Sequence, residues 1–345
     1  SIWAFIGSVI FYLWKLDERS AIVMLALPLV FLADKIREPK VNVPEPTRVS
    51  FLSFACGAGF VLLEFAALFL LVRSGTSSAL RSPWERVPPE FFLVFFLSSL
   101  GLLLLAGEKR KNISKNILTM AHAALMFSVA LLVFDVGFGF DPFVHLATES
   151  YILEHGTITP KTPYYTGEYA LIVFLARTSF ISISWINKLL LPIFAAVSLP
   201  FLALWAAAAR TREKSTIYRL APLAPFALLV FPLSSFISTT PAGLANLFLV
   251  FMLFSAMSGT GAGKGLWPAA VFAAASLVTH PLSGIPAFIF LALLLLSKIK
   301  AKKMEIRVKR RGRRDILASY SAYFPDTFLF RPGGRYFETG RNMEN

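Results

Sequence analysis

The chain has 345 residues, of which 56% are hydrophobic and only 16% are charged, and its formal net charge is +14. A soluble domain carries about a quarter charged residues, so this composition favours a protein whose solvent is lipid. The single cysteine, Cys56, excludes a disulfide framework and a cysteine-based metal site within this sequence. The Lys and Arg residues lie between apolar stretches rather than on one face, which favours membrane topology over nucleic-acid binding.

Apolar segments recur along the chain and predict an all-α, polytopic integral membrane protein of about ten transmembrane helices. Three of them, Phe51–Val72, Ile117–Gly137 and Trp185–Ala209, have the roughly 20 residues that a crossing needs. The chain begins at Ser1 inside the first segment, so we expect a fragment or a processed chain. The predicted segments are Ile2–Trp14, Ala21–Ala33, Phe51–Val72, Phe91–Ala106, Ile117–Gly137, Trp185–Ala209, Leu220–Phe236, Ala242–Ser258, Leu266–His280 and Pro281–Leu296.

The distribution of Lys and Arg predicts which loops face the cytoplasm. If the loop Glu108–Lys115 is cytoplasmic, that side of the membrane holds 23 Lys and Arg residues and the opposite side holds 7. This alternation requires that Tyr169–Ile181 lies on the outer surface as a helix and does not cross. We therefore predict N-terminal transmembrane helices over 1–116, a transmembrane core over 117–300, and a basic cytoplasmic tail over 301–345, either disordered or held at lipid headgroups.

The longest external loop, 138–184, contains the chemically informative residues. Pro142 suits a first helical turn and Gly156 a helix stop, so we predict a surface helix over Pro142–His155 with Asp141 as its N-cap. His145 and Glu149 lie four residues apart on one face of that helix, close to Asp141. Asp135, a turn or two deeper on the preceding span, is a further acidic candidate because charge at membrane depth is costly.

Simpler interpretations of these residues remain open at this point. Asp141 could serve only as a helix cap. His145 and Glu149 could form the solvated face of an amphipathic helix, and neither interpretation requires a ligand. We expect His122 to be an interhelical hydrogen-bonding group, and His280 is also read as a helix-end residue in a proline-bounded turn.

The Asp141-Pro142-Phe143 start, His145, the step from Ala147 to Glu149 and the end at His155-Gly156 resemble the first external loop of GT-C glycosyltransferases. The likeness is greatest to the catalytic subunit of prokaryotic oligosaccharyltransferases, and it extends over roughly residues 117–296. Five predicted spans precede the motif, whereas the family usually has one. The second external loop, Ser234–Gly243, also lacks the acidic residue of the family's second metal-binding motif.

The resemblance implies a GT-C-like core with two surface helices, and transfer of a sugar from a polyprenyl-phosphate donor at the outer face of a prokaryotic plasma membrane. Asp141 would be the catalytic or metal-binding carboxylate, with Mg²⁺ or Mn²⁺ as the candidate metal and the acceptor open. Such chemistry needs groups that bind sugar hydroxyls and groups that stabilise the negative charge of a phosphate leaving group. The candidate substrate-binding residues are His145, Glu149, Lys161, Tyr164, Tyr165, Glu168 and His280, with Arg177 as a further cation.

Two other functions compete with this prediction. The Pro- and Gly-broken segments around Pro222, Pro225, Pro281 and Gly284 would also suit a lipid or sugar transporter or flippase. A non-catalytic membrane subunit of a glycan-assembly complex would explain the missing acidic residue in the second loop.

Overall fold

The computed structural model describes residues 1–33, 51–106, 113–210, 233–258 and 266–311. The regular elements in these ranges are helices, and one isolated bridge joins Thr76 to Phe134. The all-α prediction is therefore confirmed for the described residues. The helices are α1 Ile2–Leu13, α2 Glu18–Ala33, α3 Phe51–Arg73, α4 Pro89–Ala106, α5 Ile113–Phe127, α6 Val129–Val133, α7 Asp141–His155, α8 Thr166–Ser179, α9 Ile183–Arg210, α10 Pro241–Ser258, α11 Leu266–Thr279 and α12 Pro281–Arg311.

Two of the described helices, at Phe54–Arg73 in α3 and Ile183–Leu204 in α9, are long and apolar enough to cross a membrane. The other apolar helices among the described residues are shorter, so the ten predicted spans are not confirmed. Most of the segment predicted at Leu220–Phe236 lies outside the described residues, as does the tail beyond Arg311. Residues Ser1–Leu291 form one compact unit and Ala292–Asn345 a second, while the boundaries predicted at 116/117 and 300/301 stay predictions.

The third predicted long span, Ile117–Gly137, is divided. Helix α5 ends at Phe127, Ser128 lies between the helices, and α6 ends at Val133. Asp135 therefore follows a helix instead of lying within one. Its side chain is exposed and accepts a hydrogen bond from Ser77 Oγ at 2.9 Å, so it fixes the loop after α3 and is not an acid at membrane depth.

Helix α8 is one of the most enclosed elements of the first unit. Every residue from Thr166 to Phe174 is buried, and the helix packs against α1, α7, α9 and α11. Gly167 permits the approach to α11, because a Cβ there would lie 2.5 Å from Thr279 Oγ1. The prediction of a surface helix at Tyr169–Ile181 is correct for helicity and wrong for exposure, since neighbouring helices cover the face that was expected to lie on lipid.

Helices α3, α4 and α5 are joined by a buried polar cluster. His122 Nδ1 lies 2.7 Å from Glu64 Oε1, and its Nε2 lies 2.8 Å from Ser99 Oγ. Ser98 donates a second hydrogen bond to Glu64, and the Phe95 ring stacks on the imidazole with centroids 4.4 Å apart. His122 is thus an interhelical hydrogen-bonding group, as predicted.

We predict that the Glu64–His122 contact stabilises this three-helix packing. Removing one partner of a buried pair leaves an uncompensated polar group, so His122→Leu should lower the free energy of unfolding by about 3–5 kcal/mol. The double variant Glu64→Leu/His122→Leu should recover part of that loss, because no carboxylate is left buried. Unfolding in detergent micelles measures both variants. A double variant no more stable than His122→Leu would contradict the prediction.

Candidate functional site

Helix α7 begins at Asp141 and ends at His155, with Gly156 left-handed at φ 77°. The predicted helix is therefore confirmed at both ends. Its N-cap is Phe140, however, and Asp141 is the first helical residue and makes no capping hydrogen bond. Because Pro142 fixes the first turn and needs no donor, the helix starts without a side-chain cap. Asp141 is exposed and takes no part in capping the helix.

His145 points from α7 toward the start of α8. Its Nδ1 lies 2.9 Å from the hydroxyl of Tyr169, and its ring packs edge-on against Tyr165 at 5.0 Å between centroids. Tyr165 in turn stacks on His280 at 5.6 Å, so the two histidines flank one tyrosine ring. The Tyr165 backbone is left-handed at φ 67°, a strained conformation for a residue with a side chain. We name His145, Tyr165, Tyr169 and His280 the aromatic cluster.

Two carboxylates lie buried beside the aromatic cluster. Glu149 and Glu168 are both 0% exposed, and Glu149 Oε2 accepts one hydrogen bond from Asn187 Nδ2 at 2.9 Å. Within the described part of the chain, the other oxygen of Glu149 and both oxygens of Glu168 have no hydrogen-bond partner. Sequence spacing placed Glu149 on the face of His145, and that face turns into the α7–α8–α9 interface instead of toward a cavity. We name Glu149 and Glu168 the carboxylate pair.

The environment of these groups favours their neutral forms. Burial raises the pKa of Glu149 to about 8, while the hydrogen bond from Asn187 opposes this shift. Burial, and then the charge of Glu149, raise the pKa of Glu168 well above its ordinary range. Burial also raises the pKa of Tyr169 and lowers the pKa of His145, the latter opposed by the carboxylate of Asp141. The phenol and the imidazole are therefore both neutral near pH 7.

The two cations predicted in the loop hold helix ends and do not line a ligand site. Lys161 Nζ donates to the carbonyl oxygens of Phe11 at 2.7 Å, Tyr12 at 3.0 Å and Trp14 at 2.9 Å. An ammonium group has three donors, so all are used at the C-terminal end of α1. Arg177 donates to the carbonyl of Leu153 near the end of α7. The assignment of Lys161 to substrate binding stays a prediction, and in this structure unpaired carbonyls at a helix end take its donors.

Tyr164 lies apart from the aromatic cluster's centre. Its side chain is exposed, and its ring meets only Tyr165 among the ring pairs of the described residues, at 6.1 Å and a tilted angle. The structure thus brings together His145, Glu149, Tyr165, Glu168 and His280 from the predicted set, and it leaves Asp141, Lys161 and Tyr164 outside that group.

A small, open cleft with a cavity volume of about 50 Å³ lies on the other side of α7. Its walls are mostly apolar, and its polar lining comes from Asn187, Lys188, Ser238 and Thr239. The α7 residues that line it are Pro142, Phe143 and Leu146, which follow Asp141 directly. Asn187 therefore touches both the cleft and the carboxylate pair. The full lining is Ala130, Leu131, Phe134, Val136, Gly137, Phe138, Pro142, Phe143, Leu146, Asn187, Lys188, Ile237, Ser238 and Thr239.

Sequence reasoning missed Asn187 and Lys188. Both stand in the first turns of a long apolar segment, where they read as the boundary of a span. The available signal was an Asn-Lys pair inside an otherwise apolar run, since polar residues there normally face a partner or a cavity. The Lys188 ammonium lies 5.7 Å from the centre of the Trp185 ring.

Binding of Mg²⁺ or Mn²⁺ at Asp141 stays a prediction. Such ions take about six ligands, mostly oxygens. Within the described residues no three His, Cys, Asp or Glu side chains converge, and the loop 234–243 adds no acidic residue. Comparison of the chain with protein-family models, curated proteins and solved structures finds no match.

We predict that Lys161 and Lys188 have separate roles. Lys161→Met should lower the free energy of unfolding by about 1.5–3 kcal/mol, because it removes charged hydrogen bonds at the end of α1. Lys188→Met, a matched change in the cleft, should leave the unfolding temperature unchanged. Thermal unfolding of both variants in the same detergent compares them. Equal losses in both variants would contradict the separation.

Proposed function

We propose that this chain is a polytopic membrane glycosyltransferase that moves a sugar from a polyprenyl-phosphate donor to an acceptor at the external face. The observation that carries the proposal is the composition of the cleft. Apolar walls suit a polyprenyl chain and Lys188 suits a phosphate. The exposed Asp141 directly precedes Pro142, which lines the cleft.

In this proposal Asp141 accepts the proton of the acceptor hydroxyl as that oxygen attacks the anomeric carbon. The bond from the anomeric carbon to the phosphate oxygen then breaks, and its electron pair leaves with the polyprenyl phosphate. Lys188 stabilises the charge on that leaving group, which in a water-poor cleft is a large contribution. Asn187, Ser238 and Thr239 offer hydrogen bonds to the sugar hydroxyls.

The membrane assignment is supported by the surface of α3. Only 17% of its most apolar window is buried, whereas the core helix of a soluble protein is mostly buried. Phe54, Leu62 and Phe65 are each at least 64% exposed on this helix. A contiguous apolar surface of this kind requires lipid or a partner to cover it.

A proton-coupled carrier is the second candidate function. The carboxylate pair favours it, because buried acids without a counter-charge are typical of proton relays in pumps and transporters. The break between α11 and α12 at His280 would then be a discontinuous helix next to the site.

The proposed topology is tested by labelling single cysteines in a Cys56→Ser background with a membrane-impermeant maleimide. Cysteines at Thr157 and Ser238 should label from outside in intact cells. A cysteine at Lys300 should label only after permeabilisation, because positive loops stay in the cytoplasm. Labelling of Thr157 and Lys300 from the same side would contradict the topology.

The transferase reaction is tested with the full chain in nanodiscs and a polyprenyl-phosphate hexose, by release of polyprenyl phosphate. Asp141→Asn should lower kcat by roughly 10²–10⁴-fold, the usual contribution of a general base. Because Asp141 is exposed and makes no cap, this change should not alter the unfolding temperature. Lys188→Met should weaken donor binding by roughly 10-fold or more, as expected for a lost charged hydrogen bond.

The matched control is Glu154→Gln, which removes an exposed carboxylate from the same helix and should leave release unchanged. A well-folded Asp141→Asn variant that releases polyprenyl phosphate at the wild-type rate would reject Asp141 as the base. No release by the wild-type chain, with proton-driven uptake into vesicles instead, would favour the carrier.

A further inference from the structure

We propose that the carboxylate pair is an internal proton-binding site, and that Tyr169 and His145 carry protons between it and the solvent-exposed side of α7. The proposal rests on the geometry of Glu149 and Glu168 and does not depend on the transferase assignment. In this proposal Glu149 and Glu168 bind a proton, whereas the sequence analysis assigned them to substrate binding.

The first argument is the absence of any compensation for two negative charges. Three of the four carboxylate oxygens have no hydrogen-bond partner among the residues that the structure describes, and the fourth receives one hydrogen bond from a neutral amide. Keeping an ion in such surroundings costs several kcal/mol. Glu168 stands in the first turn of α8, where the helix dipole contributes only about 0.3–1 kcal/mol in favour of the anion. The helix dipole is therefore too weak to offset the free-energy cost of burying the charge.

The charged groups on the surrounding helices do not change this balance. Helices α1, α10 and α11 contain no Asp, Glu, Lys, Arg or His between their described ends. From α9, Asn187 contacts the pair, whereas Lys188 lines the cleft. On α8, Arg177 binds the end of α7, and on α2 the charged residues Glu18 and Arg19 belong to the first turn.

The titratable groups nearest the pair are the members of the aromatic cluster. The negative charges of Glu168 and Glu149 both act on Tyr169, as does Tyr165. Asp141 and His280 act on His145, with opposite effects on its pKa. The charge of Glu149 acts on Glu168, so a proton bound by either carboxylate removes the repulsion between two anions.

The second argument is the path outward. The charges of Glu149 and Glu168 act on Tyr169, but no hydrogen bond joins them among the described residues, so transfer from the pair to Tyr169 needs a change of side-chain rotamer. The Tyr169 hydroxyl then lies 2.9 Å from His145 Nδ1, and His145 is half-buried. A neutral imidazole has one N–H and one free nitrogen, so it can take a proton on one side and release one on the other. A neutral phenol likewise accepts on its oxygen and donates its own hydrogen. No atom of the path needs to carry a lasting charge.

Infrared spectroscopy of the full chain in nanodiscs tests the site directly, because a protonated carboxyl has a carbonyl stretch that an ionised carboxylate lacks. At about pH 6, Glu149→Gln and Glu168→Gln should each remove intensity from that band relative to wild type. Glu154→Gln, which removes a solvent-exposed carboxyl from α7, is the control and should remove none. Unchanged intensity in both pair variants would show an ionised pair and overturn the proposal.

A measurement on the wild-type chain does not depend on the folding of any variant. The ordinary pKa of Glu149 is 4.5 and its pKa in the folded chain is about 8. Between these values the folded state binds more protons than the unfolded state, so the free energy of unfolding should fall as pH rises. His145 and His280 have lowered pKa values, which act in the opposite direction below their ordinary value of 6.5. Wild-type unfolding temperatures should therefore decrease from about pH 7 to pH 8, where the effect of Glu149 remains. A temperature that rises across this window would contradict a protonated pair.

The path is tested by Tyr169→Phe, which keeps the ring and removes the hydroxyl. After a rapid pH jump, the carboxyl band of this variant should change roughly 10²-fold more slowly than in wild type, as for loss of a positioned proton carrier. The equilibrium band before the jump should be unchanged, which separates transfer from binding. Tyr12→Phe, which removes a hydroxyl far along α1, is the control. Equal rates in wild type and Tyr169→Phe would remove Tyr169 from the path.

Discussion

The enclosure of α8 is the constraint on which the rest of the site depends. Nine consecutive residues at its start are buried, the helix packs against six other described helices, and Gly167 removes the Cβ that would prevent the contact with Thr279. Because this turn is held, Glu168 and Tyr169 are fixed inside the unit and α7 packs over them. Tyr165, immediately before the helix, takes a left-handed backbone and reaches His145 and His280. The aromatic cluster and the carboxylate pair follow from this one packing arrangement.

Local signals in the sequence predicted α7 well and α8 only in part. Pro142 and Gly156 act through backbone conformation alone, so both ends of α7 could be read without knowing its neighbours. The burial of α8 depends largely on α1 and α11, which are distant in sequence. Its mean composition, with Arg177 near its end, resembles that of an interfacial helix. Periodicity identifies a face, but it does not identify the element that covers the face.

The partners of Lys161 and Arg177 could not be predicted from the sequence for a similar reason. A lysine in an external loop of an apolar chain is compatible with a phosphate and with a helix end, and the sequence does not distinguish these partners. Lys161 is taken by three carbonyls at the end of α1, and Arg177 by a carbonyl near the end of α7. Helix ends in an apolar environment compete strongly for donors, because water is not there to satisfy them. The cation at the cleft is instead Lys188, which sequence reasoning had assigned to a span.

The chain buries carboxylates in two different ways, and the contrast bears on function. Glu64 receives a hydrogen bond from Ser98 and lies 2.7 Å from His122, so its burial is compensated within α3, α4 and α5. Glu168 has no partner for either oxygen, although α7, α9 and α11 surround it. A position needed only for packing would be filled as well by Leu or Gln at lower cost. Local conflicts of this kind concentrate at functional sites, where stability is given up for a chemical role. The carboxylate pair, Glu149 and Glu168, is therefore stronger support for a function than Glu64. The pair is also connected to the cleft, because Asn187 donates a hydrogen bond to Glu149 and lines the cleft.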